Sequence, residues 1–308
     1  MASLKDLQNR IKSVKNTQKI TKAMQMVAAA KLRKAQEAAE KSRPYSERLA
    51  SVISNLASSM TGGGDAPEML VGNGKSDTVL LVIATADRGL CGGFNTNIVR
   101  KAREEIVALE KDGKTVKLYL IGKKGYDQLN RLYDDRVVEY ISLKEERKLH
   151  AGIAQRIGDQ ITGMFERGEF DVCKLVFSEF ENVMTQTAVS KTLIPAMADI
   201  GEVPEADQAG PDLDGAIYTY EPDEAGMLRV LLPRNINTQV FTALLENQAG
   251  EMGSKMTAMD NATRNAGDMI DKLTLTFNRT RQAQITSCLL YTSPSPRDAT
   301  LSRMPSSA

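Results

Sequence analysis

The sequence predicts an α/β protein: two long terminal helices form an antiparallel two-helix coiled coil, and a central α/β domain with a mostly parallel sheet lies between them in the chain. Three observations carry this prediction. The first 60 residues hold a helical seam, strands and helices alternate in the middle, and a second seam follows towards the end. The predicted divisions are a helix over 1–60, a loop over 61–76, the α/β domain over 77–220, a helix over 221–286 and a tail over 287–308.

The N-terminal segment is typical of a long helix with more than one contact face. No glycine occurs between residues 3 and 59. Apolar or small residues recur at spacings of three and four, which is coiled-coil spacing. They are Leu4, Leu7, Ile11, Val14, Thr21, Ala28, Leu32 and Ala35. Gln18 and Gln25 interrupt this seam, and Ile20, Met24 and Val27 form a second stripe beside it. Pro44 is expected to kink or divide the helix.

The middle of the chain alternates between strand and helix patterns, which is typical of βαβ units and a parallel sheet. A glycine-rich stretch over 61–76 marks its beginning, and an acidic stretch over 201–215 is predicted to be a surface loop. The strands are expected over 78–85, 116–121, 137–140, 172–180 and 185–195, and the helices over 95–111, 124–133 and 145–167.

The last long helix is predicted to begin near Asn235 and to carry a more regular seam. Small residues and methionines dominate this seam, and small residues allow two helices to approach closely. The positions are Leu245, Ala249, Met252, Met256, Met259, Thr263, Ala266, Ile270, Leu273, Phe277 and Thr280. The helical pattern ends at Ser287, and the remaining 22 residues hold six serines and three prolines. This composition predicts a disordered tail.

Charge is distributed unevenly along the chain. The net charge is +1, but residues 1–60 contain twelve basic and four acidic residues, a net charge of +8 against −7 for the remainder. This asymmetry indicates an acidic or anionic partner for the N-terminal segment, or else a solvated basic helix face. The three cysteines have no paired or metal-like spacing, which favours a reducing compartment.

The stretch Ala86–Asn95 (ADRGLCGGFN) is placed where phosphate-binding loops occur, between a strand and a helix. It lacks the spacing of a dinucleotide fingerprint, and no Gly-Lys-Ser/Thr follows, so we interpret it as a tight turn. Asp87 and Arg88 then serve the structure or contact a partner. A nucleophilic role for Cys91 is disfavoured because the only histidine, His150, is distant in sequence. The sequence therefore predicts no catalytic residue, no cofactor site and no metal site.

Three separated motifs resemble the gamma subunits of F-type ATP synthases. They are KNTQKITKAMQMVAAAKLRK at 15–34, DRGLCGGFN at 87–95 and ENQAGEMGSKMTAMDNATRNA at 246–266. They occur in the family's order and at its distances, and the resemblance extends from Met1 to about Thr286. After Thr286 the family continues as a helix with an acidic residue and a Gly-Ala pair, which are missing here. We interpret 287–308 as unrelated to the family, with the true C-terminal helix truncated.

The resemblance implies a rotor shaft without an active site of its own. In the family the paired helices lie inside a ring of alpha and beta subunits, and the α/β domain lies beside the epsilon subunit and the c-ring. Nucleotide and magnesium belong to alpha and beta. The family pattern implies that Arg281 and Gln282 hydrogen-bond a beta-subunit loop and that Lys22 and Met24 face an acidic part of beta. Asp87 and Arg88 are expected on the epsilon and c-ring side.

The expected location is the cytoplasmic face of a bacterial inner membrane, with membrane contact only through the complex. Two other interpretations of the sequence remain open at this point. One is a nucleotide-binding α/β enzyme with helical dimerisation arms, which would need a phosphate loop. The other is a basic coiled-coil module for nucleic acid or membrane, which the acidic remainder of the chain and the interrupted seam disfavour.

Overall fold

The computed structural model describes residues 3–59, 66–146, 148–197 and 224–292. The chain divides into two compact units. The first unit, the coiled-coil unit, is Met1–Met24 with Met259–Ala308, and the second, the α/β unit, is Gln25–Ala258.

The described residues form six α-helices, one short 3₁₀ helix and five strands. In chain order they are α1 Leu4–Ser59, α2 Glu68–Val71, β1 Thr78–Ala84, α3 Phe94–Lys111, β2 Thr115–Ile121, α4 Lys123–Tyr133, a 3₁₀ helix Asp134–Arg136, β3 Val137–Ile141, α5 Ala151–Glu166, β4 Val172–Phe180, β5 Gln186–Ile194 and α6 Glu224–Thr292.

The sheet of the α/β unit has the strand order β3-β2-β1-β4-β5. β1 pairs in parallel with β2 and β4, and β2 pairs in parallel with β3. β5 runs antiparallel to β4 because a short turn joins them directly. The predicted mostly parallel α/β fold is therefore confirmed.

Both faces of the sheet are covered, which explains why β1 is a continuous apolar run. Leu80 and Val82 point into a core shared with α5 and the first half of α6. Leu81 and Ile83 point to the other face, where the apolar sides of α3 and α4 pack. Because side chains alternate along a strand, each residue of β1 contributes to one of two cores.

In the coiled-coil unit, α1 and α6 run antiparallel. Thr21 Oγ1 lies 2.8 Å from Thr263 Oγ1, and Gln18 Nε2 donates to the carbonyl oxygen of Thr263 at 3.5 Å. A Cβ at Gly267 would lie 3.3 Å from Gln18 Nε2, so earlier residues of α1 meet later residues of α6. Gln18 therefore does not interrupt the seam as predicted; its amide is long enough to reach a backbone carbonyl across it.

The same antiparallel pairing occurs within the α/β unit. Leu32 and Ala35 of α1 pack against Ala249 and Met252 of α6. Further along, Leu49, Ile53, Leu56 and Ala57 form a cluster with Leu228 and Leu232 near the beginning of α6. The predicted seam positions of both helices are buried or half-buried, and their neighbours are mostly exposed in α1 and, in α6, only from Asn261 onward.

The boundaries of the long helices differ from the prediction in three places. α1 is a single helix that contains Pro44, so the proline does not divide it. α6 begins at Glu224, inside the predicted segment 221–286 but eleven residues before Asn235, because Leu228 and Leu232 are buried against α1. α6 also continues through Thr292, beyond the predicted end at Thr286. The first proline after this end is Pro294, and a helix extends easily once it has formed.

Smaller differences concern the loops. The predicted loop over 61–76 contains the short helix α2, and the predicted helix over 145–167 begins only at Ala151. The predicted acidic loop over 201–215 and the tail beyond residue 292 lie outside the described residues.

Asp171 connects the beginnings of β1 and β4. One carboxylate oxygen accepts from Asn73 Nδ2 at 2.7 Å, and the other accepts from the backbone N–H groups of Asp77 and Thr78 at 3.0 and 2.9 Å. These hydrogen bonds, that from Asn73 above all, lower the pKa of Asp171 below its usual value. The charged carboxylate is therefore the form that stabilises the fold.

Asp171→Asn is expected to lower the free energy of unfolding by about 1–3 kcal/mol at neutral pH, because an amide nitrogen then faces backbone donors. A lowered folded pKa gives stability that is present above the usual carboxyl pKa of about 4 and is lost as pH falls through the folded value. The difference between parent and variant should therefore shrink below about pH 4 in urea titrations. A difference that stays constant across this range would contradict the assignment.

Gly122 is the residue where the connection from β2 to α4 requires glycine. Its φ is +91°, and a Cβ there would lie 2.2 Å from the carbonyl oxygen of Thr85. Gly113 provides a matched comparison, since its φ is +74° but no atom lies within 4 Å of its Cβ position.

Gly122→Ala is expected to destabilise the protein by about 3 kcal/mol or more, since left-handed strain and a backbone clash add. Gly113→Ala should cost only about 1 kcal/mol, the strain alone. Chemical unfolding of both variants measures this difference. Equal losses would show that the close approach of Gly122 to Thr85 is unimportant.

Candidate partner-contact site

The loop between β1 and α3 is held by Asn95. Its side-chain oxygen accepts from the backbone N–H of Ala86 at 2.9 Å, and its amide nitrogen lies 3.2 Å from Cys91 Sγ. Leu90 at the tip adopts a φ of 65°, which is uncommon for a bulky residue, and its side chain is 63% exposed. An exposed leucine held in this conformation suits a contact surface.

Asp87 and Arg88 differ in their surroundings. Asp87 accepts hydrogen bonds from Lys123 N and Ser142 Oγ on one oxygen and from Leu143 N on the other, all at 2.9 Å. It therefore ties the loop to the beginning of α4 and to the segment after β3. Arg88 is exposed. Of the two roles that the sequence left open, the structural one is observed for Asp87, and a partner contact remains a prediction for both residues.

Cys91 belongs to this loop and is buried. Burial raises the pKa of its thiol, and the neighbouring Glu251 carboxylate raises it further. A raised pKa disfavours the thiolate, the form that reacts as a nucleophile. Cys173 is also buried, and burial raises its pKa as well.

The motif around residues 246–258 of α6 packs against this loop and against the β4–β5 hairpin. A Cβ at Gly250 would lie 2.9 Å from Phe94 Cε2, and the Cβ position of Gly92 is 3.9 Å from Ala258 Cβ. Ser254 Oγ donates to Gln186 Oε1 at 2.5 Å. The DRGLCGGFN stretch and the ENQAGEMGSKMTA stretch at 246–258, distant in sequence, therefore form one interface inside the α/β unit.

Two acidic side chains of this motif are largely withdrawn from solvent. Glu251 forms an ion pair with Lys255 at 2.6 Å, and the two side chains are 15% and 12% exposed. Burial raises the pKa of Glu246, and its Oε2 atom is buried without a hydrogen-bond partner among the described residues. The Glu251–Lys255 ion pair and the Glu246 carboxylate both lie where α6 packs against its neighbours.

Lys22 and Met24 lie on α1 in the coiled-coil unit. Lys22 is exposed and Met24 is half-buried. In the same stripe, Ile20 is 61% and Val27 57% exposed, unlike the residues of the seam. Contact of Lys22 and Met24 with a partner stays a prediction.

Arg281 and Gln282 lie on α6 in the same unit. Residues 281–290 are all exposed, and Thr280 is the last half-buried position of the seam. They are 18 residues beyond Thr263, which pairs with Thr21, so they lie about 27 Å along the helix from Lys22 and Met24. The structure therefore places the four predicted contacts on two separate surfaces.

The described part of the chain offers no group of three or more His, Cys, Asp and Glu residues arranged to hold a metal ion. Among the described helices, none is both long and apolar enough to cross a membrane.

Comparison with known proteins supports a family assignment. A sequence model of the ATP synthase family matches residues 3–290. The ATP synthase gamma chain of Maricaulis maris is 61% identical over 287 residues, which cover 93% of this chain and 96% of the relative. The chain belongs to the ATP synthase gamma-chain family. The gamma chain of Brucella anthropi is 57% identical over 290 residues, covering 94% of this chain and 97% of the relative.

Solved structures from mitochondrial ATP synthases share the fold at lower identity. The central stalk and c-ring structure of the Tetrahymena thermophila mitochondrial ATP synthase matches with a TM-score of 0.58 and 24% identity, over 79% of this chain and 99% of that one. The rotor of the Euglena gracilis enzyme matches with a TM-score of 0.61 and 17% identity, over 92% of this chain and 98% of that one. The family match ends at residue 290, four residues beyond Thr286.

Sequence reasoning missed two contributions to the site. Asn95 holds the β1–α3 turn, and its position directly after a Gly-Gly-Phe stretch was the available signal. Gly250 and Gly253 interrupt a helix of otherwise strong seam character. Glycine weakens a helix interior by about 1 kcal/mol relative to alanine, so its presence twice within four residues signals close packing.

Asp87→Ala and Arg88→Ala separate structural from surface roles in adjacent residues. Asp87→Ala should lower the free energy of unfolding by about 2 kcal/mol or more, because it removes the acceptor for three donors. Arg88→Ala should change it by no more than about 0.5 kcal/mol. Urea unfolding of the two variants distinguishes them, and a large loss for Arg88→Ala would show an unrecognised structural role.

Proposed function

We propose that this chain is the central rotor shaft of a proton-translocating F-type ATP synthase. It couples rotation of a c-ring to conformational cycling of catalytic beta subunits. The observation that carries the proposal is the family match over residues 3–290, which includes both long helices and the α/β domain together. The interpretation as a nucleotide-binding enzyme with dimerisation arms would leave these matched helices without their family role.

The two paired helices suit a shaft. Two helices that share a tightly packed seam resist bending and twisting better than one. Small seam residues such as Ala28, Ala35 and Ala249 are buried, so the two backbones approach closely. A shaft must also turn without sticking at one angle. The exposed surface meets this need because it is rich in polar side chains and the whole chain contains no Trp.

The proposed partners follow from charge and exposure. The basic N-terminal segment suits an acidic surface, and we assign Lys22 and Met24 to contact with beta. Arg281 and Gln282 carry planar donors that suit carboxylate and backbone acceptors of a beta loop. Arg88 and the adjacent Asp87 are assigned to the side of the epsilon subunit and c-ring.

We propose that the chain itself is non-catalytic, without cofactor, and that nucleotide and magnesium bind to alpha and beta. Its location would be peripheral, on the cytoplasmic face of a bacterial inner membrane, and held there through the complex. No nucleic acid is involved, since the acidic remainder of the chain opposes binding to phosphate backbones.

Co-purification with separately expressed alpha and beta subunits tests the proposal. We expect a complex with one copy of this chain for each ring of three alpha–beta pairs, and steady ATP hydrolysis only when the chain is present. A second preparation of the chain that ends at Thr286 separates the effect of the last 22 residues. Failure of both preparations to assemble would contradict the shaft assignment.

The Arg281→Ala/Gln282→Ala double variant tests the proposed beta contact. Loss of a charged hydrogen bond, about 1.5–3 kcal/mol, should lower ATP hydrolysis by the assembled complex about tenfold or more. Arg100→Ala is a matched control, because Arg100 is an exposed arginine of α3 in the α/β unit. It should leave the rate unchanged. Equal rates for the double variant and the parent would remove these residues from the contact.

A further inference from the structure

The segment Asn247–Ser254 of α6 is held by three other elements of the α/β unit. The beginning of α3 contributes Phe94, the β4–β5 hairpin contributes Ser178, Phe180 and Gln186, and α1 contributes Leu32 and Ala35. This set of contacts is called the α6 joint below.

Two glycines bring the backbone of α6 directly against its neighbours. A Cβ at Gly250 would lie 2.9 Å from Phe94 Cε2, closer than real Cβ contacts, and 3.3 Å from Ser178 Oγ, which is a tight contact. A Cβ at Gly253 would lie 3.4 Å from Phe180 Cε2 and from Gln186 Nε2. At these positions the backbone of α6 packs directly against aromatic rings. Because no flexible side chain lies between them, the helix has little room to shift against the domain.

Hydrogen bonds fix the same segment against rotation about its own axis. Ser254 donates to Gln186 Oε1, and Gln186 Nε2 is itself anchored to the carbonyl oxygens of Val183 at 2.6 Å and Asn182 at 3.1 Å. On the neighbouring strand, Ser178 N–H donates to Asn247 Oδ1 at 3.4 Å. Gln186 cannot turn to follow Ser254 without breaking its own contacts to the hairpin.

We propose that the α6 joint transmits torque between the α/β domain and the helical shaft, with Gly250 as its main positioning residue. This inference rests on the proposed shaft function. A shaft transmits torque only if the domain that is turned holds the helix without slip. α6 can carry the force onward because it is one uninterrupted helix from Glu224 to Thr292, and α1 is likewise uninterrupted from Leu4 to Ser59.

The test uses the whole membrane-bound enzyme in vesicles, with the ratio of ATP-driven proton pumping to ATP hydrolysis as the readout. A slipping joint lets hydrolysis continue while less rotation reaches the proton path, so the ratio falls. Gly250→Ala should lower it about threefold or more, because the buried ring of Phe94 has to move. Gly253→Ala should lower it less. Gly163→Ala in α5, whose Cβ would meet only the flexible end of Arg167 at 3.3 Å, should leave it unchanged.

A reversible cross-link tests whether fixing the helix to the domain restores coupling. The Cβ positions of residues 92 and 258 are 3.9 Å apart, a distance that suits a disulfide, and this bond would join the domain to α6 beside the joint. The pair Gly92→Cys/Ala258→Cys is introduced with Cys288→Ser, which removes the exposed cysteine. Oxidation should restore the ratio in Gly250→Ala, and a reductant should abolish the restoration.

Each outcome decides the proposal. A normal ratio in assembled Gly250→Ala enzyme overturns it, as does a lowered ratio that oxidation leaves low. If Gly250→Ala does not assemble, the cross-link is tested in the chain that keeps Gly250. A rigid joint then predicts the same ratio of proton pumping to ATP hydrolysis before and after oxidation. A ratio that falls on oxidation would show that helix and domain must move against each other. If the unchanged chain supports no ATP hydrolysis at all, the shaft function fails, and that result is distinct from a failed joint.

Discussion

The structure depends on the packing of α6, which contacts several different elements along its length. Its first half covers the β1–β4–β5 side of the sheet together with α5, where Ile236, Val240 and Leu244 enter the core. The same half also packs against α1 through Leu228, Leu232 and Ala249. Among the described residues, the second half of α6 contacts α1 through Thr263, and fewer of its positions are buried. α6 is buried on several sides in its first half and on one side in its second half. The same helix therefore belongs to the α/β domain and to the shaft.

The composition of α6 reflects these two kinds of packing. Where α6 meets aromatic rings and the hairpin, glycine replaces larger residues, and where it meets α1, alanine, threonine and methionine predominate. The Thr21–Thr263 contact and the reach of Gln18 place polar groups inside the coiled coil, and each has a partner there. Buried polar contacts of this kind contribute little net stability, but they fix the register of two helices that small apolar residues alone would leave free to slide.

The sequence predicted the parallel sheet from short apolar runs that alternate with helical segments, and both seams from the spacing of three and four residues. It failed where a tertiary contact overrides local preference. Packing of Leu228 and Leu232 carries α6 back to Glu224, and packing on both sides of Pro44 keeps α1 whole. The role of Asp87 could not be read from the sequence because its partners, Lys123 and Leu143, are 36 and 56 residues away. The four beta contacts stay predictions; Lys22, Arg281 and Gln282 are exposed and Met24 is half-buried.

Direct observation of rotation tests the central claim most directly. An alpha–beta ring assembled with this chain would be fixed to a surface, and a probe would be attached to a cysteine at the exposed position 107 of α3. The account predicts that ATP drives the probe in one direction, with one pause per catalytic site in each revolution. A probe that only fluctuates while the same complexes hydrolyse ATP would contradict the assignment of this chain as the shaft.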